Sequence, residues 1–257
     1  MSEPLLVLSG LTKSFGALVV TDDLSLEITA GTCHAIIGPN GAGKTTLIDQ
    51  VAGALRPDAG RIRFAGRDVT RLDMPRRALA GLVRTYQITS ILPAFTVLGN
   101  VALAVQSRSG SSFRFFRAAV GDPGLDGPAM AVLASLGLGA RADHLAGQLS
   151  HGEKRQLEIA MALALEPRLL LLDEPMAGAG PEETRLLVET LRQLKTRMTI
   201  VLVEHDMHAV FALADRISVL VAGAILATGT PDEIRADPQV KAAYLGESPS
   251  EPRSAPA

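Results

Sequence analysis

A single cysteine, no tryptophan and two tyrosines are all that this chain of 257 residues contains of those types. Cys33 alone allows neither an intrachain disulfide nor a cysteine-based zinc site, which fits a reducing compartment. Excess charge is missing as well. The 25 Lys and Arg against 27 Asp and Glu leave a net charge of −2 and an isoelectric point near 6.2. General attraction to nucleic acid or to an anionic membrane surface is therefore not expected. Long hydrophobic runs are absent too. The mean hydropathy of +0.24 prompts a search for a span, but the best stretch, residues 217–227, carries Gly223 in its middle. It has about half of the roughly 20 residues that a membrane-crossing helix needs, and it reads as two short buried strands around a turn. The opening Met-Ser-Glu-Pro lacks the basic and apolar segments of a secretory signal. The expectation is a soluble subunit that meets a membrane only through a partner.

What is present suits a folded α/β domain: 47% apolar and 20% charged residues, enough for a sizeable core. Runs rich in Val, Ile and Leu at 5–8, 19–28, 33–37, 60–64, 168–172, 199–203 and 217–221 predict strands. Helical spacing marks 43–55, 96–105, 128–138, 153–165, 181–195 and 207–214. Strands alternating with helices imply a largely parallel sheet covered on both faces. Between residues 88 and 161 the pattern is mostly helical, with Ser-rich 107–116 and Gly/Pro-rich 121–127 read as mobile connections. This gives an inserted helical subdomain (88–161) between two parts of a core (1–87 and 162–246). Residues 247–257 have no hydrophobic stripe and are expected to be disordered.

Gly38-Pro39-Asn40-Gly41-Ala42-Gly43-Lys44-Thr45 matches G-x-x-x-x-G-K-S/T without a gap. Glycines let the backbone curl so that successive N–H groups face phosphate oxygens, and the helix beginning at Thr46 adds its positive end. Lys44 can reach the β- and γ-phosphates, and the Thr45 hydroxyl suits Mg²⁺. Alone, this motif specifies a nucleoside triphosphate and nothing narrower. Further on, four leucines end in Asp173-Glu174-Pro175, as a buried parallel strand ends at a ligand site. Asp173 would hold Mg²⁺ and Glu174 would polarise the attacking water. A core strand with a solvated acidic turn is the plainer alternative for this segment taken alone.

Leu149-Ser150-His151-Gly152-Glu153-Lys154-Arg155-Gln156 resembles the LSGGQ signature of ABC ATPases, with His151 for one Gly and Glu153 for the Gln. Physically it is a second anion-suited helix start in one chain. The resemblance implies a P-loop NTPase (RecA-like) core, an N-terminal antiparallel β portion and an inserted helical subdomain. It also implies that Ser150, Gly152 and Glu153 meet the γ-phosphate held by a second copy. Three more positions match the family: Phe15 as the adenine-stacking aromatic, Gln87 as sensor of Mg²⁺ and water, and His205 as the switch histidine. The implied cofactors are ATP and Mg²⁺.

Asp173-Glu174-Pro175-Met176-Ala177-Gly178, Glu204-His205-Asp206-Met207, Leu213-Ala214-Asp215-Arg216 and Ala243-Tyr244-Leu245-Gly246 resemble the subfamily serving importers of branched-chain amino acids, amides or urea. That resemblance implies transmembrane permease subunits, a second identical or paralogous ATP-binding subunit, an indirect extracytoplasmic solute-binding protein, and a place on the cytoplasmic face of the membrane. ATPases of lipid or lipopolysaccharide export share the C-terminal end, so export is the alternative. A soluble ABC ATPase acting on nucleic acid is disfavoured by one cassette, no sustained heptads and no basic excess. Gly180 and Gly99 depart from the family, which places an Asp and a Glu there.

Overall fold

The computed structural model describes residues 3–85, 91–108 and 122–245. Among the described residues ten strands form two sheets. An antiparallel sheet has the order β2-β1-β4-β5, from β1 (Pro4–Phe15), β2 (Leu18–Thr29), β4 (Ala59–Phe64) and β5 (Arg67–Asp68). The second has the order β10-β9-β3-β8-β7-β6, from β3 (Cys33–Ile37), β6 (Leu82–Arg84), β7 (Leu169–Asp173), β8 (Thr199–Val203), β9 (Arg216–Val221) and β10 (Ala224–Gly229). From β9 to β6 this sheet is parallel, and β10 returns antiparallel to β9 across Ala222 and Gly223, both at positive φ. The 217–227 stretch is thus a hairpin. None of the described helices is long and apolar enough to cross a membrane.

Helix α1 (Lys44–Ala52) lies between the sheets. Its Leu47, Ile48 and Val51 meet Leu6, Leu8, Leu24 and Ile28 of the antiparallel sheet, and Leu169, Leu171, Val201 and Val203 of the parallel one. The alternate residues Leu170, Leu172, Ile200 and Leu202 face the other way. They pack against α3 (Val97–Arg108), α4 (Pro123–Ser135), α5 (His151–Leu163), α6 (Pro181–Leu194) and α7 (Met207–Leu213). Strands β7 and β8 read as unbroken apolar runs because both faces are covered.

Several elements went beyond the sequence reading. β1 continues past Leu8 because Gly10, at φ +58, absorbs a register shift. The three-residue β6 and the short helices α2 (Met74–Leu79) and α8 (Pro231–Ala236) are too brief for a periodic signal. Helix α4 begins at Pro123 rather than at 128: Asp122 caps it by accepting from the Gly124 N–H at 3.0 Å, and Pro suits a first helical position. Gly and Pro there mark a helix start, not a connection. Of the 107–116 connection, Ser107 and Arg108 belong to α3, and the rest, like residue 121, the 247–257 tail and Gln87, lies outside the described residues.

Arg77, only 1% exposed, donates to the carbonyls of Gln50 and Val51 at 2.7 Å, Leu72 at 3.0 Å and Thr70 at 3.1 Å. It is a buried cation closing the negative end of α1, and burial pulls its pKa down to about 10, so it stays charged. His34 is also buried. Its Nε2 meets Ser218 Oγ at 2.8 Å, which in turn meets Thr228 Oγ1 at 2.7 Å. Burial first, and the nearby Arg216 charge second, lower its pKa to about 4. The neutral imidazole is thus built into the fold. Below its unfolded pKa of about 6.5 the unfolded chain takes up a proton that the native one refuses, so stability falls as pH drops from there toward 4. Between pH 7.5 and 5 the wild type should lose about 2 kcal/mol of unfolding free energy more than a His34→Asn variant does. Urea titrations at the two pH values check this.

Candidate functional site

Three segments converge because three strands share a register. Ile36 of β3 pairs with Val203 of β8, and Val203 pairs with Asp173 of β7. Glu204 and Glu174 follow that row directly and Gly38 follows it after Ile37, so the three chains leave the sheet within a residue of one level, beyond the carboxyl ends of parallel strands where ligands gather.

The loop after β3 runs into α1 with Gly43 as N-cap, and no side chain caps that helix. Helices α2, α5 and α7 by contrast are capped by Asp73, Ser150 and Asp206. The first-turn N–H groups of α1 are thus left for an anion. Gly38 and Gly43 are required by close approach. A Cβ on Gly38 would stand 2.0 Å from the Leu220 carbonyl oxygen, and one on Gly43, at φ +101, 2.5 Å from that of Val20. Lys44 donates to the carbonyls of Gly38 at 2.7 Å and Pro39 at 3.0 Å. Burial lowers its pKa, opposed by the charges of Glu174 and Asp173. Asn40, Gly41, Ala42, Thr45 and Thr46 complete the turn; Ala42 is buried and Thr45 exposed.

At the end of β7, Asp173 is buried, and its Oδ2 accepts from Arg84 Nη2 at 2.9 Å. Arg84 also pairs with Asp49 on α1, tying the loop helix to the acidic strand end. Arg155 of α5 donates to the Asp173 carbonyl at 3.3 Å. Glu174 adopts φ +46, a left-handed conformation uncommon for a residue with a long side chain. Its Oε1 lies 4.0 Å from His205 Nδ1, and His205 is 60% exposed. Thr45 and Asp173 are hard oxygen donors of the kind Mg²⁺ takes, together with phosphate oxygens. Among the described residues no cluster of three or more His, Cys, Asp or Glu could hold a metal by itself. The donor set fits a Mg²⁺ ion that arrives with its nucleotide.

Phe15 ends β1, half exposed, with Lys13 Nζ 5.6 Å from the ring centre and Lys13 paired to Asp58 at 2.6 Å. Ser150 and Glu153 form a capping box. Ser150 Oγ accepts from Glu153 N at 3.2 Å, and Glu153 Oε2 accepts from Ser150 N at 2.9 Å. Glu153 also pairs with Arg141 at 2.9 Å; these bonds hold its carboxyl below the usual range. The plain N-cap role is therefore real, and the Ser150 side chain also bonds the Glu153 carboxylate. Beside it lies a cleft of about 170 Å³ with Gly152, Pro175, Ala179 and Glu183 in its wall; none of residues 38–46 lines it. Within one chain the two anion-suited helix starts are at separate places. Gly180 is the N-cap of α6, its N–H held by Glu183 at 3.2 Å, so no Asp is needed to start that helix.

Sequence reasoning missed Arg84, Glu204 and Asn100. Glu204 is a buried carboxylate holding three backbone N–H groups. Asn100, fully buried, binds both the N–H and the C=O of Leu92. An acid directly before His205 was a visible signal; the partners were not.

A phosphate loop entering an uncapped helix, level with an acidic strand end in a parallel sheet, defines a P-loop nucleoside triphosphatase. The model of the ABC transporter family matches residues 21–177, and that of the branched-chain amino acid ATP-binding cassette transporter matches residues 224–249. High-affinity branched-chain amino acid transport ATP-binding protein LivG of Salmonella typhimurium is 38% identical over 257 residues, covering 96% of this chain and all of that protein. Its counterpart BraF of Pseudomonas aeruginosa is 37% identical, with 96% and 100% covered. A solved ATP-binding cassette of an ABC transporter in its ADP conformation superposes with a TM-score of 0.84 at 30% identity, covering 96% of this chain and 100% of that one. The chain belongs to the ABC transporter family, as an ATP-binding and ATP-hydrolysing subunit.

Gly43→Ala should destabilise the protein by about 2 kcal/mol or more, from strain at φ +101 and the Val20 contact, and should abolish ATP binding. Thermal unfolding with and without ATP reads both effects.

Proposed function

We propose that this subunit powers an importer of branched-chain amino acids or related small amides or urea. The observation that carries this is 38% identity to LivG along the whole of both proteins, with the C-terminal model match at 224–249 as support. Lipopolysaccharide export protein LptB of Acidithiobacillus ferridurans is 35% identical over 248 residues, so export of a lipid is the second reading.

In this reading two copies, identical or paralogous, close head to tail on two nucleotides. The adenine stacks on Phe15. Backbone N–H groups within residues 40–46 and the Lys44 ammonium hold the β- and γ-phosphates, while Ser150 and Gly152 of the other copy approach the γ-phosphate. Thr45 and Asp173 would hold Mg²⁺, which would supply neutralisation of phosphate charge. Glu174 orients the attacking water, and His205 and Lys44 offset the charge that develops on the γ-phosphoryl group. Donors fixed in advance in a water-poor site act strongly there, because they need not reorganise during the reaction. Gln87 is assigned as the sensor of Mg²⁺ and water.

Residues 88–161 act as the helical subdomain within a 1–246 cassette. Asn100 pins Leu92, and the Phe95 and Pro93 carbonyls accept from Ala146 and Gly147. The exposed apolar side chains of Leu92, Phe95 and Leu145 thereby sit on a stiff platform. A cytoplasmic helix of a permease subunit docks there, which carries closure and reopening to the membrane. An extracytoplasmic binding protein delivers the solute to the permease, and the subunit itself stays peripheral at the cytoplasmic face. Nucleic acid has no part in this.

Glu174→Gln should lower ATP turnover at least about 100-fold while leaving ATP binding intact and trapping an ATP-dependent dimer. Phosphate release and size-exclusion chromatography with Mg-ATP measure this, and fast turnover in the variant would overturn the assignment. Uptake of labelled leucine, amides and urea by cells with and without the subunit tests the substrate. Uptake unchanged, with a lipid-exporting permease co-purifying, would replace import by export.

A further inference from the structure

The proposed chemistry uses Glu174 and His205 but does not explain what holds them in place. Glu174 stands at φ +46, and His205 follows a strand end with its side chain 60% exposed. Between them lies a carboxylate with no role assigned so far. The Glu204 side chain is wholly buried. Its Oε1 accepts from the Met176 N–H at 2.7 Å, and its Oε2 accepts from the N–H groups of His205 at 2.9 Å and Asp206 at 3.3 Å. One carboxylate thus joins the turn after β7 to the turn after β8. The neighbouring Asp206 is no substitute, because its own carboxylate caps α7 through His208 N at 2.9 Å and Ala209 N at 3.3 Å.

We propose that Glu204 is the positioning residue that sets Glu174 against His205. This inference rests on the assignment of Glu174 as the water-orienting carboxylate. Glu174 is held on one side by the sheet, its N–H donating to the Val203 carbonyl at 2.8 Å. Two residues later Met176 is held by Glu204. The left-handed residue lies between these two bonds, and its own carbonyl accepts from the Ala177 N–H at 3.1 Å, contacts of the kind a strained conformation requires in order to persist. On the other strand the same carboxylate organises the backbone that presents His205. Its Oε2 lies 3.8 Å from His205 Nδ1, and Glu174 Oε1 lies 4.0 Å from that nitrogen. An ionised carboxylate can accept from three N–H groups at once. A glutamine at this position has one acceptor oxygen and turns an N–H₂ toward backbone donors, so one side of the clamp must open.

The test uses the full chain. Glu204→Gln should lower kcat about 30-fold while changing KM for Mg-ATP less than about threefold, because the nucleotide grip lies elsewhere. Hydrogen exchange should show peptides containing Met176, His205 and Asp206 losing protection. In a Glu174→Gln background, single-turnover hydrolysis should fall less than about threefold further, since the effect passes through Glu174. Glu204→Asp retains the charge beside His205 but falls one methylene short of Met176. It should show the same kcat loss, which keeps the test decisive if the glutamine variant does not fold. Unchanged kcat in both variants, a loss confined to KM, or an equal further loss without Glu174 would overturn the positioning role alone. Turnover retained in Glu174→Gln itself would overturn the Glu174 assignment and the positioning role with it.

Discussion

The row Ile36–Val203–Asp173 is the constraint on which the site depends. Parallel strands held in this register deliver three turns to one level, and each turn carries a different chemical part. The loop after β3 brings backbone donors and Lys44, the end of β7 and its turn bring Asp173 and Glu174, and the turn after β8 brings His205. A slip of one residue in β8 would exchange its two faces, turning Val201 and Val203 away from α1. Continuous burial on both faces makes such a slip expensive, so the site inherits its precision from apolar packing.

Buried charges then fix the ends of that row. Arg84 joins Asp173 to Asp49 on α1, Arg77 closes the far end of α1 through the Gln50 and Val51 carbonyls, and Glu204 links the turns after β7 and β8. Each is a charge taken out of water, which is tolerable only because hydrogen bonds replace its hydration. These contacts hold the groups nearest the nucleotide to separate elements of the fold.

The helix starts differ in how their N–H groups are satisfied. Helices α2, α5 and α7 satisfy theirs with Asp73, Ser150 and Asp206, whereas α1 has glycine and no capping side chain. The start of α5 is intermediate, since Ser150 and Glu153 cap one another around Gly152. In one chain it faces a cleft with α6 and not the phosphate loop. This separation underlies the proposal that a second copy completes the site.

By itself the sequence determined the local chemistry: the 38–46 loop, the buried strand ending in Asp173 and Glu174, the α5 start at Ser150, and the alternation that yields a parallel sheet. These are legible because each depends on residues adjacent in the chain or on a short period. Its failures were equally physical. Strand β6 and helix α2 are too short to show a period, and the Gly/Pro composition before α4 concealed a capped helix start. The partners that give Arg84, Arg77 and Glu204 their roles, Asp173, Gln50 with Val51, and Met176, lie far off in the chain and could not be read from it. Only the tertiary structure decided which buried charge meets which. A polar group taken from water must find its partner in space, and sequence distance says nothing of where that partner is.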